Sequence, residues 1–288
     1  MTVLGKGNAN GGVSVLHAAG LGKGCSIGIE LSTEVSLVTG EAGVSPDEHG
    51  ILDSVMAVWV ESGYPRPDDT GWRVSSEVPI GQGLKSSAAL ACAAALALNE
   101  ASWTALSDFD IVDIAVAAQR RAGCSITGCM DDAWAAISPG WKLVDPIQSS
   151  RDSVLLEGDI DDGLTVLIAL RGPRLAKVQS DSFTDQKKLF ERAMASLSNG
   201  SILGAMSANG MAVAAATGDD EALRICNSVI ARGAIAAGVS GSGPAIAIVC
   251  YDQDSEQLTE LLTESGMQVI HSRFIESEPI GEEASSWG

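Results

Sequence analysis

The chain has 288 residues, of which 37 are acidic and 18 basic, and its formal net charge is −19. This acidity excludes a nucleic-acid surface, which needs clustered Lys and Arg, and docking on anionic lipid. A hydrophobic content of 45% excludes a disordered chain. The longest uncharged apolar run, at 88–98, is too short for a membrane span of about 20 residues. We therefore expect a globular protein with neither nucleic-acid nor membrane partners.

The six cysteines form no CxxC pair and the chain has only three histidines, which does not fit a zinc site. This usage is typical of reduced thiols that pack as small hydrophobic side chains. The first twelve residues lack the charged start and long apolar stretch of a signal peptide. We expect a cytoplasmic protein, and a monomer and a homodimer both remain open.

The hydrophobic pattern predicts an α+β fold, and the pattern of predicted elements changes after Pro146. The predicted elements before it are two strands in 13–38, a helix at 50–62, a strand at 73–79, and helices at 86–101 and 108–122. Those after it are strands at 164–170, 245–251 and 267–275, and helices near 185–198, 201–217, 219–232 and 254–265. We predict two domains, 1–150 and 151–288, with the boundary near 147–160.

A glycine loop, GQGLKSS (81–87), lies between a predicted strand and a long Ala-rich helix for which Ser86 or Ser87 is a suitable N-cap. A helix N-terminus presents unpaired N–H groups, and glycine lets a phosphate approach the backbone. Lys85 adds a positive charge, and the serine hydroxyls suit phosphate or Mg²⁺. The alternative is a tight turn with a serine cap, but the full combination favours an anion site.

The two common nucleotide-binding motifs are absent. A GxxxxGK[ST] loop would need glycine where the chain has Leu84 and Pro79. A GxGxxG fingerprint fails because Gly241-Ser242-Gly243 is followed by Pro244.

Three segments, in the right order, resemble motifs of the GHMP kinases: 22–29 (GKGCSIGI), 79–89 (PIGQGLKSSAA) and 238–245 (GVSGSGPA). The GKGxxxGI pattern, the lysine of GLKSSAA and the TGxxDD phrase at 127–132 most resemble archaeal shikimate kinases. The resemblance implies an N-terminal domain like the second domain of ribosomal protein S5, joined to a ferredoxin-like C-terminal domain.

The resemblance also implies ATP and Mg²⁺ as cofactors. In that family the second motif wraps the triphosphate, a motif serine, here Ser87, contributes to the magnesium site, and the third motif packs beside the phosphate loop. The residues assigned to ATP in this way are Pro79, Ile80, Gly81, Gln82, Gly83, Leu84, Lys85, Ser86, Ser87, Ala88, Ser240, Gly241, Ser242 and Gly243.

Asp131 corresponds to the family's catalytic Asp. Phosphoryl transfer needs positioning, charge neutralisation and a group that orients or accepts the hydroxyl proton. A carboxylate near the γ-phosphate performs the last task, and a nearby lysine keeps it ionised. The alternative, that an aspartate merely caps a helix, suits the neighbouring Asp132 at least as well.

Mevalonate kinase has a magnesium-binding Glu about eleven residues before its Asp, where this chain has Arg120. We therefore expect Mg²⁺ to be held mainly by ATP, Ser87 and water.

Lys23, flanked by two glycines, is the second candidate catalytic residue, because it can reach a carboxylate in the cleft, either the substrate's or that of Asp131. The alternative is a solvated turn lysine. Arg171, Arg174 and Lys177 are further candidates for a substrate carboxylate, and surface charge explains them about as well.

The resemblance implies ATP-dependent phosphorylation of the 3-hydroxyl of the small molecule shikimate, in aromatic amino acid biosynthesis. Homoserine kinase is the alternative, because its third motif also reads SGxGP. A second alternative, raised by the missing Glu at position 120, is a nucleotide-binding module without catalysis.

Overall fold

The computed structural model describes residues 1–40, 47, 49–124, 128, 130–173 and 180–276. The strands are β1 (Val3–Leu16), β2 (Gly24–Thr39), β3 (Thr70–Ser76), β4 (Trp141–Val144), β5 (Val154–Gly158), β6 (Leu164–Leu170), β7 (Ala236–Val239), β8 (Ile246–Tyr251) and β9 (Gln268–Arg273). The helices are α1 (Ala18–Leu21), α2 (Ile51–Glu61), α3 (Ser86–Ser102), α4 (Asp108–Arg121), α5 (Met130–Ile137), α6 (Ser150–Ser153), α7 (Ser180–Asp185), α8 (Lys187–Ser198), α9 (Ile202–Thr217), α10 (Asp220–Ile230) and α11 (Ser255–Glu264).

These strands form two antiparallel sheets, which confirms the α+β prediction. The first sheet has the order β1-β2-β4-β5, with β3 paired to β2, and the second has the order β7-β8-β6-β9. The chain passes from one sheet to the other between Gly158 and Leu164. The strand β5 thus belongs to the first sheet, and the division of the chain at residue 150 into two folding units stays a prediction.

Most long elements lie where the sequence predicts them, but β1 begins at Val3, ahead of the predicted range 13–38, and three short strands were missed. Helices α3 and α4 and strands β6 and β8 match their predicted ranges within about a turn or a residue or two. The missed strands β4, β5 and β7 have only four or five residues each. For β7, which reads AAGV, local β-propensity is low, and its pairing with β8 supplies the strand.

Helix α3 packs against β1 at very short range. A methyl group built on Gly7 would overlap the carbonyl oxygen of Ala93, and one on Gly5 would overlap that of Ala97. Both alanines are fully buried. The small residues on both sides therefore let the two backbones touch, which explains how a chain with 4% aromatic residues builds a dense core.

In the described ranges, no helix is long and apolar enough to cross a membrane. Five cysteines are described and all are free thiols, four of them buried and Cys124 half-buried. The interpretation of the cysteines as core residues is confirmed for those four, and their reduced state stays a prediction.

We predict that Gly7→Ala lowers the free energy of unfolding by about 1–3 kcal/mol, because the added methyl forces β1 and α3 apart. Denaturant titration followed by circular dichroism measures this change. Asn8→Ala is the matched control, since Asn8 is the next residue of the strand and is exposed. Equal stability of Gly7→Ala and the wild type would show that β1 and α3 can separate enough to accept a methyl group without loss of stability.

Candidate active site

The glycine loop between β3 and α3 has the backbone geometry of an anion-binding turn. Gly81, Gly83 and Lys85 have φ values of 72°, 80° and 66°, so every second residue is left-handed. Positive φ at alternate residues turns backbone N–H groups toward a common concavity. The cap position of α3 is Lys85, not Ser86 or Ser87 as predicted, and it makes no side-chain cap hydrogen bond. Both serines lie inside the first turn, where backbone N–H groups lack helical partners.

The second glycine loop packs directly on the first, as the resemblance implied. The hydroxyl of Ser240 donates to the carbonyl of Gly83 at 2.9 Å, and a side chain on Gly83 would overlap the backbone of Ser240. The N–H of Gly241 donates to Ser14 Oγ on β1 at 3.1 Å. These contacts join the two sheets at the phosphate loop.

Asp131 and Asp132 occupy the first turn of α5, where the helix dipole favours negative charge. Asp131 is only 5% exposed, and its carboxylate lies against Gly24 so closely that a methyl group there would overlap it. The hydroxyl of Ser26 lies 2.8 Å from Asp131 Oδ2. Gly24, the second glycine of the GKG sequence, is thus what allows the Asp131 carboxylate to be buried at this point.

Lys85 forms an ion pair with Asp132, with Nζ 2.6 Å from Oδ1. Both side chains are largely buried, at 8% and 14% exposed. Buried ion pairs need good geometry to offset desolvation, and breaking one partner leaves a costly unpaired charge. The cation that faces the carboxylates is therefore Lys85.

The two carboxylates differ in protonation behaviour because their surroundings differ. Burial raises the pKa of Asp131 to about 7, and the charge of Asp132 adds to that rise. The nearby Lys85 and the hydrogen bond from Ser26 oppose it. Near neutral pH the Asp131 carboxyl therefore exists in both forms, which suits a group that accepts and releases a proton.

A cleft of about 330 Å³ contains both the loop and the carboxylates. The predicted site residues that line it are Ile80, Gly81, Gly83, Lys85, Ser86, Ser87, Ala88, Asp131, Gly241 and Ser242. Others predicted for ATP are not in its lining, namely Pro79, Gln82, Leu84, Ser240 and Gly243. For Leu84 and Ser240 the reason is that both are buried under the loops, at about 1% exposed.

The cleft also contains residues that sequence reasoning missed. His17, Ala18, His49, Gln119 and Cys124 complete its lining. His17 accepts a hydrogen bond from the N–H of Ala19 through Nδ1, at 3.2 Å. No spacing pattern in the sequence signals these residues, because they come from the start of α1, from separate loops and from the last turn of α4.

A second, mostly apolar cavity of about 280 Å³ adjoins the first. The two share His49, Ile80, Ser86 and Ser87. The remaining lining residues are Thr33, Asp47, Ile51, Val74, Ser76, Val78 and Leu90. An apolar slot beside a phosphate loop is suited to an aromatic base.

In the structure the side chain of Lys23 is paired with Asp145 and not with Asp131, one of the two carboxylates considered for it; the other, a substrate carboxylate, is not tested. Its Nζ lies 3.2 Å from Asp145 Oδ2. The register of the first sheet is the reason, since β2 and β4 pair Gly24 with Val144 and so bring the preceding and following residues together. Lys23 is absent from the lining of the cleft, and its assignment as a catalytic residue stays a prediction.

Arg171, a candidate for a substrate carboxylate, and Arg120, at the position of the missing Glu, also have partners elsewhere. Arg171 is paired with Asp219 and Glu221, at 2.5 Å and 3.0 Å, and these partners raise the pKa of its guanidinium. Arg120 donates to the carbonyl of Pro146 at 3.0 Å, so the preceding Gln119 faces the cleft instead. Arg174 and Lys177 lie outside the described residues.

The comparisons with known proteins agree with this geometry. Residues 51–140 match the model of the GHMP kinases N terminal domain. A shikimate kinase of Thermococcus kodakarensis is 30% identical over 274 residues, covering 90% of this chain and 98% of the relative. One of Pyrococcus abyssi is 29% identical, covering 91% and 96%.

The chain belongs to the archaeal-type shikimate kinases of the GHMP kinase superfamily. The fold agrees, since the mevalonate kinase of Methanococcus jannaschii superposes with a TM-score of 0.73 at 13% identity, covering 94% of this chain and 98% of that one. The cleft of this GHMP kinase is therefore the place to seek its ATP and its small-molecule acceptor.

The buried carboxyl of Asp131 predicts a pH-dependent effect of Asp131→Asn on stability. Because burial raises the pKa of Asp131 to about 7, the folded state binds a proton more tightly than the unfolded state does. The associated stability is present below about pH 4 and is lost as the pH rises through 7. Relative to the wild type, the variant should gain stability between pH 5 and 8, by an amount on the order of a few kcal/mol.

Urea denaturation of both proteins at several pH values measures this difference. Asp53→Asn, at an exposed position of α2, is the matched control, because it makes the same chemical change outside the cleft. A flat difference for Asp131→Asn would mean that Asp131 is ionised in the folded protein throughout this range.

Proposed function

We propose that this kinase transfers the γ-phosphate of ATP to the 3-hydroxyl of shikimate. The observation that carries the proposal is the arrangement of one cleft, in which the phosphate loop faces the buried carboxyl of Asp131. The relatives named shikimate kinase support shikimate as the acceptor, because the match covers nearly their whole length. A cytoplasmic location and the state of monomer or homodimer stay predictions.

The triphosphate would bind at the N-terminus of α3 and against the second glycine loop. The first-turn N–H groups of Ser86 and Ser87 and the loop amides supply hydrogen-bond donors there. The adjoining apolar cavity, with Val74, Val78 and Leu90 on its walls, would take the adenine. This placement needs few cations, in keeping with a cleft whose one described lysine is held by Asp132.

The residues present fit Mg²⁺. Ser87 contributes a hydroxyl to the cleft wall, and the neutral Gln119 contributes an amide, whose nitrogen donates to the carbonyl of Ala115. Mg²⁺ prefers oxygen ligands and keeps several waters, so a hydroxyl, an amide oxygen and the phosphates of ATP suffice. When bound, the ion would neutralise charge on the phosphates during transfer.

Asp131 would orient the acceptor hydroxyl and take its proton as the new O–P bond forms. Its raised pKa places proton exchange near neutral pH. Lys85 holds Asp132 in place and keeps one positive charge beside the reacting groups. The two walls of the cleft thus divide the work, because backbone amides bind the phosphates and α5 presents the proton acceptor.

We predict that the purified protein phosphorylates shikimate with ATP and Mg²⁺, and that homoserine is turned over at least about a hundredfold more slowly. A hydroxyl acceptor of different shape leaves polar groups of the site unpaired, which gives discrimination of this order. Coupled detection of ADP with each alcohol measures both rates. Turnover of homoserine alone would assign the chain to the competing activity.

We predict that Asp131→Asn lowers kcat by about 10²-fold or more and leaves the affinity for ATP within about twofold, because it removes proton transfer but not the phosphate loop. Steady-state kinetics and equilibrium binding of a fluorescent ATP analogue provide the two measurements. Asp53→Asn is the matched control. Binding of ATP with no turnover of either alcohol by the wild type would support the alternative of a module without catalysis.

A further inference from the structure

Ser26 on β2 has a position that the mechanism above does not use. Its side chain is about 1% exposed, and its hydroxyl lies between the two carboxylates of α5. Oγ is 2.8 Å from Asp131 Oδ2 and 3.1 Å from Asp132 Oδ1. A serine hydroxyl has one hydrogen to donate and two lone pairs to accept with, so it donates to one carboxylate at a time.

The surroundings decide which carboxylate receives that hydrogen. Lys85 Nζ already lies 2.6 Å from Asp132 Oδ1, whereas among the described residues the side chain that donates to Asp131 is that of Ser26. While both carboxyls are ionised, the Ser26 hydroxyl favours donation to Asp131, because that contact is the shorter one and because Asp132 already has Lys85 as a partner. Hydrogen bonds to ionised acceptors are the strong ones in proteins, so this bond fixes the orientation of the carboxylate.

The same hydroxyl can also serve the state after proton transfer. When Asp131 has taken the acceptor's proton, its new O–H can donate to Ser26 Oγ, and the Ser26 hydrogen can turn to Asp132 Oδ1. Asp132 remains an acceptor because Lys85 is bound to it. Ser26 thus keeps a hydrogen bond to Asp131 in both protonation states, and the bond to the ionised form is the stronger of the two.

We propose that Ser26 is a positioning residue of the phosphoryl transfer, which holds the Asp131 carboxylate before the acceptor is deprotonated and turns to Asp132 afterwards. In this step the acceptor oxygen bonds to the γ-phosphorus, the bond from that phosphorus to ADP breaks, and the acceptor proton stays on Asp131 until it passes to solvent. The proposal rests on the function proposed above.

The other groups around Asp131 do not replace this contact. Asp132 repels it, and Lys85 attracts it while bound to Asp132. The Cys25 thiol is neutral, because burial and the charge of Asp131 raise its pKa well above the usual value. His17 and His49 line the same cleft.

The test compares Ser26→Ala with Ser36→Ala. Ser36 is also buried and lies on the same strand, where it pairs with Lys6 and Arg73, ten positions away from the site. For Ser26→Ala we expect kcat to be about tenfold lower at pH 7 and KM for ATP to stay within about twofold of the wild type. The acid limb of the kcat profile should move about one pH unit higher, because the ionised Asp131 carboxylate loses a hydrogen bond. Ser26→Thr keeps the hydroxyl and should restore the acid limb. Ser36→Ala should match the wild type.

A substrate-free measurement separates this proposal from the proposed function. The pH titration of ¹³C-labelled aspartate carboxyls, with the Asp131 signal assigned by its loss in Asp131→Asn, reports the pKa of Asp131 directly. A higher pKa in Ser26→Ala supports the role of Ser26, even where shikimate is not turned over. An unchanged pKa and an unchanged acid limb, in a variant that melts at the wild-type temperature, would overturn it, even where shikimate is turned over.

Discussion

The contact between the two glycine loops is the constraint on which the site depends. The second loop leaves β7 in one sheet, the first loop leads into α3 beside the other sheet, and they meet where Ser240 donates to the carbonyl of Gly83. No side chain fits between them, because a Cβ on Gly83 would overlap Ser240 and one on Gly241 would press on the backbone of Gly83. The position, relative to α5, of the amides that we propose to bind phosphate follows from this contact.

The electrostatics of the cleft explain how a chain of net charge −19 can bind an anion such as ATP. Among the described residues, the lysine that lines the cleft is held by Asp132, so in the proposed function the attraction for phosphate would come mainly from backbone N–H groups and the N-terminus of α3. Such fixed dipoles need no counter-charge from the rest of the surface. The overall acidity can therefore be carried elsewhere, where it favours solubility.

The fold and the nature of the site were largely predictable, and the partners of individual side chains were not. The long helices and strands follow from periodicity, and the phosphate loop is recognisable because its glycines, lysine and serines are contiguous. Strands β4, β5 and β7 are too short to show a period, and pairing alone creates them. The contact between Ser26 and Asp131 joins residues 105 positions apart, and the burial that raises the Asp131 pKa depends on such contacts.

Lys23 and Lys85 show which features the sequence predicts and which depend on the tertiary structure. The sequence by itself was enough to predict an anion site at the loop GQGLKSS ahead of an Ala-rich helix, because the required groups are neighbours along one backbone. Lys23 lies between two glycines and Lys85 between Leu84 and Ser86, and the sequence does not tell which of the two lysines faces the carboxylates. Only the tertiary structure assigned Lys23 to Asp145 and Lys85 to Asp132, because ion pairing depends on strand register and on the direction in which α5 enters the core.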